Sequence, residues 1–187
     1  MSIVDIYNSP GGYGVIYADP PWSYRQKGRG AAANHYQTMA AEEIKALPVK
    51  RLAGKDCVLF MWATFPNLQQ ALDTIRAWGF EYKTLGFCWI KQNKRGGVFW
   101  GLGSYTRQNP EVCLLATRGH PKVKSHSVHS VIQSQIERHS QKPEEARNRI
   151  VQLLGEQKRL ELFARTTAPG WDSWGNEVQG GVVCTKM

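Results

Sequence analysis

The sequence predicts an α/β fold: an open, mostly parallel sheet with helices on both faces. Two observations predict it. Apolar runs of strand length alternate with stretches of helix length, and the runs are apolar almost throughout, as in strands buried on both sides. Scale agrees, because 187 residues with 42% hydrophobic and 21% charged residues suit one globular unit with a sizeable core. We expect a single domain over 1–178 and a flexible tail over 179–187.

Val15–Ala18 is a short apolar run halted by Asp19-Pro20-Pro21, so it reads as a buried strand ending in a loop. Residues 23–37 are polar and rich in Gly, Ala and Arg, and read as a loop. Thr38 is placed to cap a helix over about 40–47 that Pro48 closes. Cys57–Trp62 is a second buried strand. Pro66 opens a helix to Trp78, stopped by Gly79. Tyr82–Lys91 follows as a strand, then a Gly-rich basic loop over 92–109, then a strand over Glu111–Thr117. Val128–Ile136 is extended, and Pro143 starts a helix to Leu154 with Glu144 and Glu145 suited to its positive end. Arg159–Ala164 is the last expected strand.

Composition excludes several classes. There is no run of 18 apolar residues for a membrane span, and Met1–Pro10 lacks the basic and apolar regions of a secretory signal. Cys57, Cys88, Cys113 and Cys184 stand far apart with no Cys-x-x-Cys pair, so neither a zinc knuckle nor a redox dithiol is indicated. A reducing, cytoplasmic setting is expected. The net charge of +9 suits a polyanionic partner. It is also segregated: residues 20–41, 82–110 and 112–136 contain no Asp or Glu. The first stretch carries Arg25, Lys27 and Arg29; the second carries Lys83, Lys91, Lys94, Arg95 and Arg107; the third carries Arg118, Lys122 and Lys124. Such loops suit contact with phosphates.

Asp19-Pro20-Pro21-Trp22 stands at a strand end, where open α/β sheets bind ligands. Two prolines remove backbone donors and leave carbonyl acceptors. An ionised Asp19 adds further acceptors, and Trp22 offers a flat aromatic face. A planar ligand with an amino group, such as adenine, would give its two N–H donors to Asp19 and the Pro20 carbonyl and stack on Trp22.

Tyr17-Ala18-Asp19-Pro20-Pro21-Trp22 resembles the catalytic motif of the MT-A70 family of adenine-N6 methyltransferases. His35–Met39 resembles the family's target loop, Phe60-Met61-Trp62 its second strand and Lys142-Pro143-Glu144-Glu145 its Lys-Pro-acid helix start. Leu160–Arg165, Gly170-Trp171 and Trp174-Gly175-Asn176-Glu177 resemble its C-terminal cofactor segment, in wording nearest to bacterial and phage members. The resemblance spans about residues 13–178 in the family's order.

It implies a Rossmann-like fold in permuted motif order, using S-adenosylmethionine. By the resemblance, Asp19 contacts the methionine part of the cofactor and the reacting amino group, and Lys142 pairs with the cofactor carboxylate. Arg165, Asn176 and Glu177 bind its ribose and adenine end. Other branches place a His-Asn pair near Thr167-Ala168; here Thr167 keeps a hydroxyl for a ribose, and Ala168 cannot bond. Asp5 and Ile6 are candidates for adenine-ring contacts. Trp22 and Tyr36 are candidate contacts to the target base, with Arg25, Lys27, Arg29, Lys94 and Arg95 on the nucleic-acid backbone. His126-x-x-His129 lacks a third ligand at suitable spacing, and methyl transfer from a sulfonium needs no metal, so none is expected.

The expected function is transfer of a methyl group to adenine N6 in nucleic acid, DNA favoured over RNA. A catalytically silent partner subunit is the alternative, and cytosine N4 a further possible acceptor. The intact Asp-Pro-Pro-Trp motif favours the enzyme, as a homodimer or with a partner subunit and with no membrane association.

Overall fold

The computed structural model describes residues 2–23, 38–103, 105–137 and 141–178. The described strands are β1 (Tyr13–Ala18), β2 (Ala53–Ala63), β3 (Glu81–Gln92), β4 (Glu111–Arg118), β5 (Val131–Gln135), β6 (Arg159–Leu162) and β7 (Asp172–Trp174). They form one sheet in the order β5-β3-β4-β2-β1-β6-β7. The α-helices are α1 (Ala41–Lys45), α2 (Val49–Leu52), α3 (Leu68–Ala77) and α4 (Glu144–Leu154), and a 3-10 turn over Phe65–Asn67, holding Pro66, leads into α3. Among these pairings β1–β2, β1–β6, β3–β5 and β6–β7 are parallel, while β4 runs antiparallel to both neighbours. The mostly parallel expectation holds.

Alternating residues of the central strands feed two cores. Ile16, Ala18, Leu59, Met61, Leu114 and Ala116 face α1, α2 and α3. Val15, Tyr17, Val58, Phe60, Trp62 and Cys113 face Ala146, Ile150 and Leu154 of α4. Period-2 alternation explains why the runs read as apolar throughout: both faces of the sheet are covered.

Several local expectations are corrected. The helix after Thr38 begins at Ala41, with Ala40 as its cap. Glu43 reaches back to accept the Ala40 N–H at 2.8 Å, so Thr38 supplies no cap. Leu47 and Pro48 do not end the helical region, because α2 restarts at Val49 with Pro48 as its cap. The sequence also gave no warning of β7: its three residues are too few to show a period.

The direction of the strands decides where chemistry gathers. β2, β3, β5 and β6 all run with β1, and β7 with β6. The carboxyl ends of six strands therefore share one rim with the start of antiparallel β4. β1 lies at the reversal of chain order. α1 and α2 cross one face on the way to β2, and α4 packs on the other before β6. Such a switch point is the expected ligand crevice.

Candidate active site

Asp19 is the first residue after β1 and therefore stands on this rim. Lys142, just ahead of α4, places Nζ 2.8 Å from Asp19 Oδ2 and 3.3 Å from Glu111 Oε2. Lys91, near the end of β3, pairs with the other oxygen of Glu111. The Lys142 ammonium also lies over the Trp62 ring, 5.7 Å from its centroid. Four charges from β3, the start of β4 and the segments beside β1 and α4 thus form one chain: Asp19, Lys142, Glu111, Lys91.

Burial opposes the charge on Glu111, but Lys142 and Lys91 outweigh it and hold its carboxyl down at about 2. Burial dominates at Asp19 and raises its carboxyl above the ordinary value, with Lys142 pulling the other way. The difference has a physical cause: Glu111 has two lysines against it, whereas Asp19 shares one. Lys142 is itself desolvated, yet its two carboxylates hold its pKa above the usual lysine value.

The proline pair makes a tight turn. Trp22 N–H donates to the Pro20 carbonyl at 2.8 Å, and Met39 N–H to that of Pro21 at 3.0 Å. The Pro20 oxygen retains a second lone pair for a ligand donor. Trp22 is a correction. Its ring is 4% exposed and belongs to the core on the α1–α3 face, with Nε1 donating to the Trp62 carbonyl at 3.0 Å. Burying the large indole wins over displaying it, so Trp22 pins the turn to β2 and is not an open stacking surface. Trp62 is held from the other side as well, its Nε1 donating to Tyr17 Oη at 2.6 Å.

After β6 the chain turns through Phe163, whose φ of 62° is uncommon for a residue with a side chain. Its ring meets Trp174 edge-on. Gly175 then passes the β6 exit so closely that a Cβ there would lie 2.2 Å from the Ala164 carbonyl oxygen. That approach brings Glu177 Oε1 to 3.2 Å from Arg165 Nη1. Thr167 and Asn176, two residues after Arg165 and one before Glu177 in the chain, are exposed. A cavity of about 590 Å³ opens on the same rim, lined by Lys94, Gln135, Ile136, Glu137, Gln141 and Thr166.

Other sequence candidates lie apart or are already engaged. The Asp5 carboxylate accepts from the Tyr7 N–H and Asn8 Nδ2 in a local turn. The Ile6 side chain is fully buried in the core and its carbonyl accepts from Arg51, so neither of these is offered to a ligand. Lys91 faces Glu111 instead of joining the basic loop expected to meet phosphates. Lys94 and Arg95 are exposed on a turn closed by Asn93 N–H to the Gly97 carbonyl. Arg25, Lys27, Arg29 and Tyr36 lie outside the described residues, as does the 179–187 tail. Among the described residues no three His, Cys, Asp or Glu side chains are grouped to hold a metal, and no helix is long and apolar enough to cross a membrane.

Sequence reasoning missed Glu111, Trp62 and the tight passage at Gly175. Glu111 did leave a signal: it is the single acid between residues 82 and 136.

The family model for MT-A70 matches residues 13–177, from the first residue of β1 to the Glu177 that meets Arg165. This chain belongs to the MT-A70 family of adenine-N6 methyltransferases. The chain is 32% identical to the Type II methyltransferase M.MunI of Mycoplasma sp, over 89% of this chain and 78% of that one. It is 29% identical to an N(6)-adenosine-methyltransferase MT-A70-like protein of Arabidopsis thaliana, over 91% of this chain and 24% of that one. It is 26% identical to the human N(6)-adenosine-methyltransferase catalytic subunit METTL3, over 91% of this chain and 29% of that one. The chain thus spans about a quarter of the length of these two adenosine methyltransferases and over three quarters of M.MunI. Within the MT-A70 match lie Asp19, Lys142 and Glu111, the three groups that the rim brings into contact.

Proposed function

We propose that this chain transfers a methyl group from S-adenosylmethionine to the N6 amino group of adenine in nucleic acid, DNA favoured over RNA. One observation carries the reading. The Asp-Pro-Pro-Trp turn stands at the switch point of the sheet, with its carboxylate held on Lys142 and the Pro20 carbonyl next to it in the chain.

The residues present fit the cofactor. Lys142 is a positioned cation for its carboxylate, Asp19 an acceptor for its ammonium, and Arg165, Thr167, Asn176 and Glu177 gather donors and acceptors for the ribose and adenine end. The close approach at Gly175 accompanies the pairing of Arg165 with Glu177 within that group. When bound, S-adenosylmethionine supplies a methyl group on a positively charged sulfur that leaves as a neutral thioether.

Adenine N6 is a weak nucleophile because its lone pair is delocalised into the ring. Asp19 and the Pro20 carbonyl accept its two hydrogens and draw the nitrogen toward a tetrahedral arrangement, which localises the lone pair on the opposite side. The Asp19 carboxylate favours the positive charge that arrives on N6 and would receive its proton. The remaining work is positioning, which Lys142, Trp62 and Trp22 perform by fixing the turn.

DNA is favoured because the cofactor segment is worded most like bacterial members, and because M.MunI, unlike the adenosine methyltransferases, is matched over most of its length. The intact motif argues against a silent partner subunit. The test is incubation with labelled S-adenosylmethionine and matched DNA and RNA, followed by nucleoside identification. Label in N6-methyldeoxyadenosine supports the reading; label in a cytosine, or none, overturns it.

A further inference from the structure

The loop between β3 and β4 has a rigid foot and a bare apolar tip. At the foot, Asn109 is 7% exposed; it accepts the Lys91 N–H at 3.0 Å and donates to the Lys91 carbonyl at 2.9 Å. Phe99 N–H donates to the Lys91 carbonyl at 3.0 Å, and Gly101 N–H to that of Gln108 at 2.7 Å. Beyond this short ladder, Trp100 is 64% exposed, Leu102 83% and Tyr105 wholly exposed. Three large apolar side chains this close together in water need a reason.

The foot is part of the active site, because Lys91 holds Glu111 and Glu111 holds Lys142. Leu102 is three residues beyond Phe99, so the tip stands within roughly 10 Å of the foot. The tip is flanked by Lys94, Arg95 and Arg107, and no acid occurs over 82–110. A second copy of the chain, meeting this patch across a two-fold axis, would set these cations against each other. A polyanion carrying stackable bases matches both the charge and the aromatic rings.

We propose that Trp100, Leu102 and Tyr105 form a wedge that enters the base stack of duplex DNA beside the target adenine. The wedge replaces the stacking that the adenine gives up when it leaves the helix for Asp19. Enzymes acting on a base must extrude it, and apolar side chains inserted between base steps are a known way to open a stack. The inference rests on the methyl-transfer reading above and adds the form of its substrate.

The test compares the full chain with a Trp100→Ala/Tyr105→Ala double variant. Both are given one adenine-containing oligonucleotide carrying 2-aminopurine, as a single strand, as a paired duplex, and as a duplex with the adenine opposite an abasic site. Binding of the unaltered chain to the paired duplex raises 2-aminopurine emission. The double variant loses that rise and methylates the paired duplex at least about tenfold more slowly. It recovers most of the rate on the abasic duplex, and Trp100→Phe/Tyr105→Phe restores the paired-duplex rate. Equal slowing on all three forms, an unchanged paired-duplex rate, or no rise with the unaltered chain overturns the wedge. A dimer that the double variant breaks, with the emission rise intact, also overturns it and makes the patch an interface between copies. An aromatic-dependent rise with no methylation of any form supports the wedge and rejects the methyl-transfer reading instead.

Discussion

Lys142 Nζ lies 2.8 Å from Asp19 Oδ2, although 123 positions separate the two residues in the chain. The same ammonium reaches Glu111. Each partner of Lys142 therefore has a different fate when the others are changed.

Asp19→Asn is expected to lower methyl transfer by at least about a hundredfold, as removal of a group aimed at developing charge does elsewhere. The fold should hold, because Lys142 keeps Glu111 and a neutral side chain relieves the burial that raises Asp19. Turnover with labelled cofactor and a thermal melt check both halves. Near-normal turnover would sink the assignment.

Lys142→Met should weaken S-adenosylmethionine binding far more than nucleic-acid binding. It should also cost about 3–5 kcal/mol of stability, because the buried Asp19 carboxylate loses its lysine while Glu111 keeps only Lys91. Calorimetry and urea unfolding read the two effects. Unchanged cofactor affinity in folded protein would remove Lys142 from the cofactor site.

Glu111 sets an acid limb of stability. Its folded pKa of about 2 lies below the ordinary 4.5, so between those values the unfolded chain binds the proton more readily. Stability from this group is therefore full above pH 4.5 and is lost as pH falls toward 2. Asp19 and Glu161 act in the opposite sense, since burial raises both, and their effect falls above their unfolded values. Urea midpoints measured across this window should fall steeply with acid in the unaltered chain and less so in Glu111→Gln. Parallel curves would show that Glu111 is not held ionised by the two lysines.

Lys94→Ala/Arg95→Ala should weaken nucleic-acid binding about equally for all sequences. The plot of log affinity against log salt should flatten by about 2 if each residue meets one phosphate. Cofactor affinity should not change. An identical salt slope would move the phosphate contacts to other cations, with Arg25, Lys27 and Arg29 next to be tested.

Trp22→Phe keeps the apolar ring but leaves the buried Trp62 carbonyl without its donor. A loss of about 1–3 kcal/mol is expected in chemical denaturation. Binding of an isolated adenine nucleotide should change little, because the indole is in the core. A large loss of base affinity with unchanged stability would restore Trp22 as a stacking surface.

The sequence by itself determined most elements of this protein and the order of its motifs. Runs such as Val15–Ala18 and Cys57–Trp62 carry their burial in their composition. Prolines and glycines such as Pro66, Gly79 and Pro143 mark element boundaries through local backbone geometry. The Asp19-Pro20-Pro21-Trp22 turn was legible for the same reason: its chemistry is contained in four consecutive residues. Tertiary structure alone decided the partners. That β4 runs against its neighbours, bringing Glu111 to the rim where the other strands end, is a pairing between distant segments. No period or propensity within Glu111–Arg118 encodes it. Likewise nothing near Trp22 says that Trp62 stands ready to accept its N–H, and a ring that composition offers to solvent is drawn into the core. Local sequence reports how strongly a side chain seeks burial or charge; only the folded chain supplies the neighbour that satisfies it.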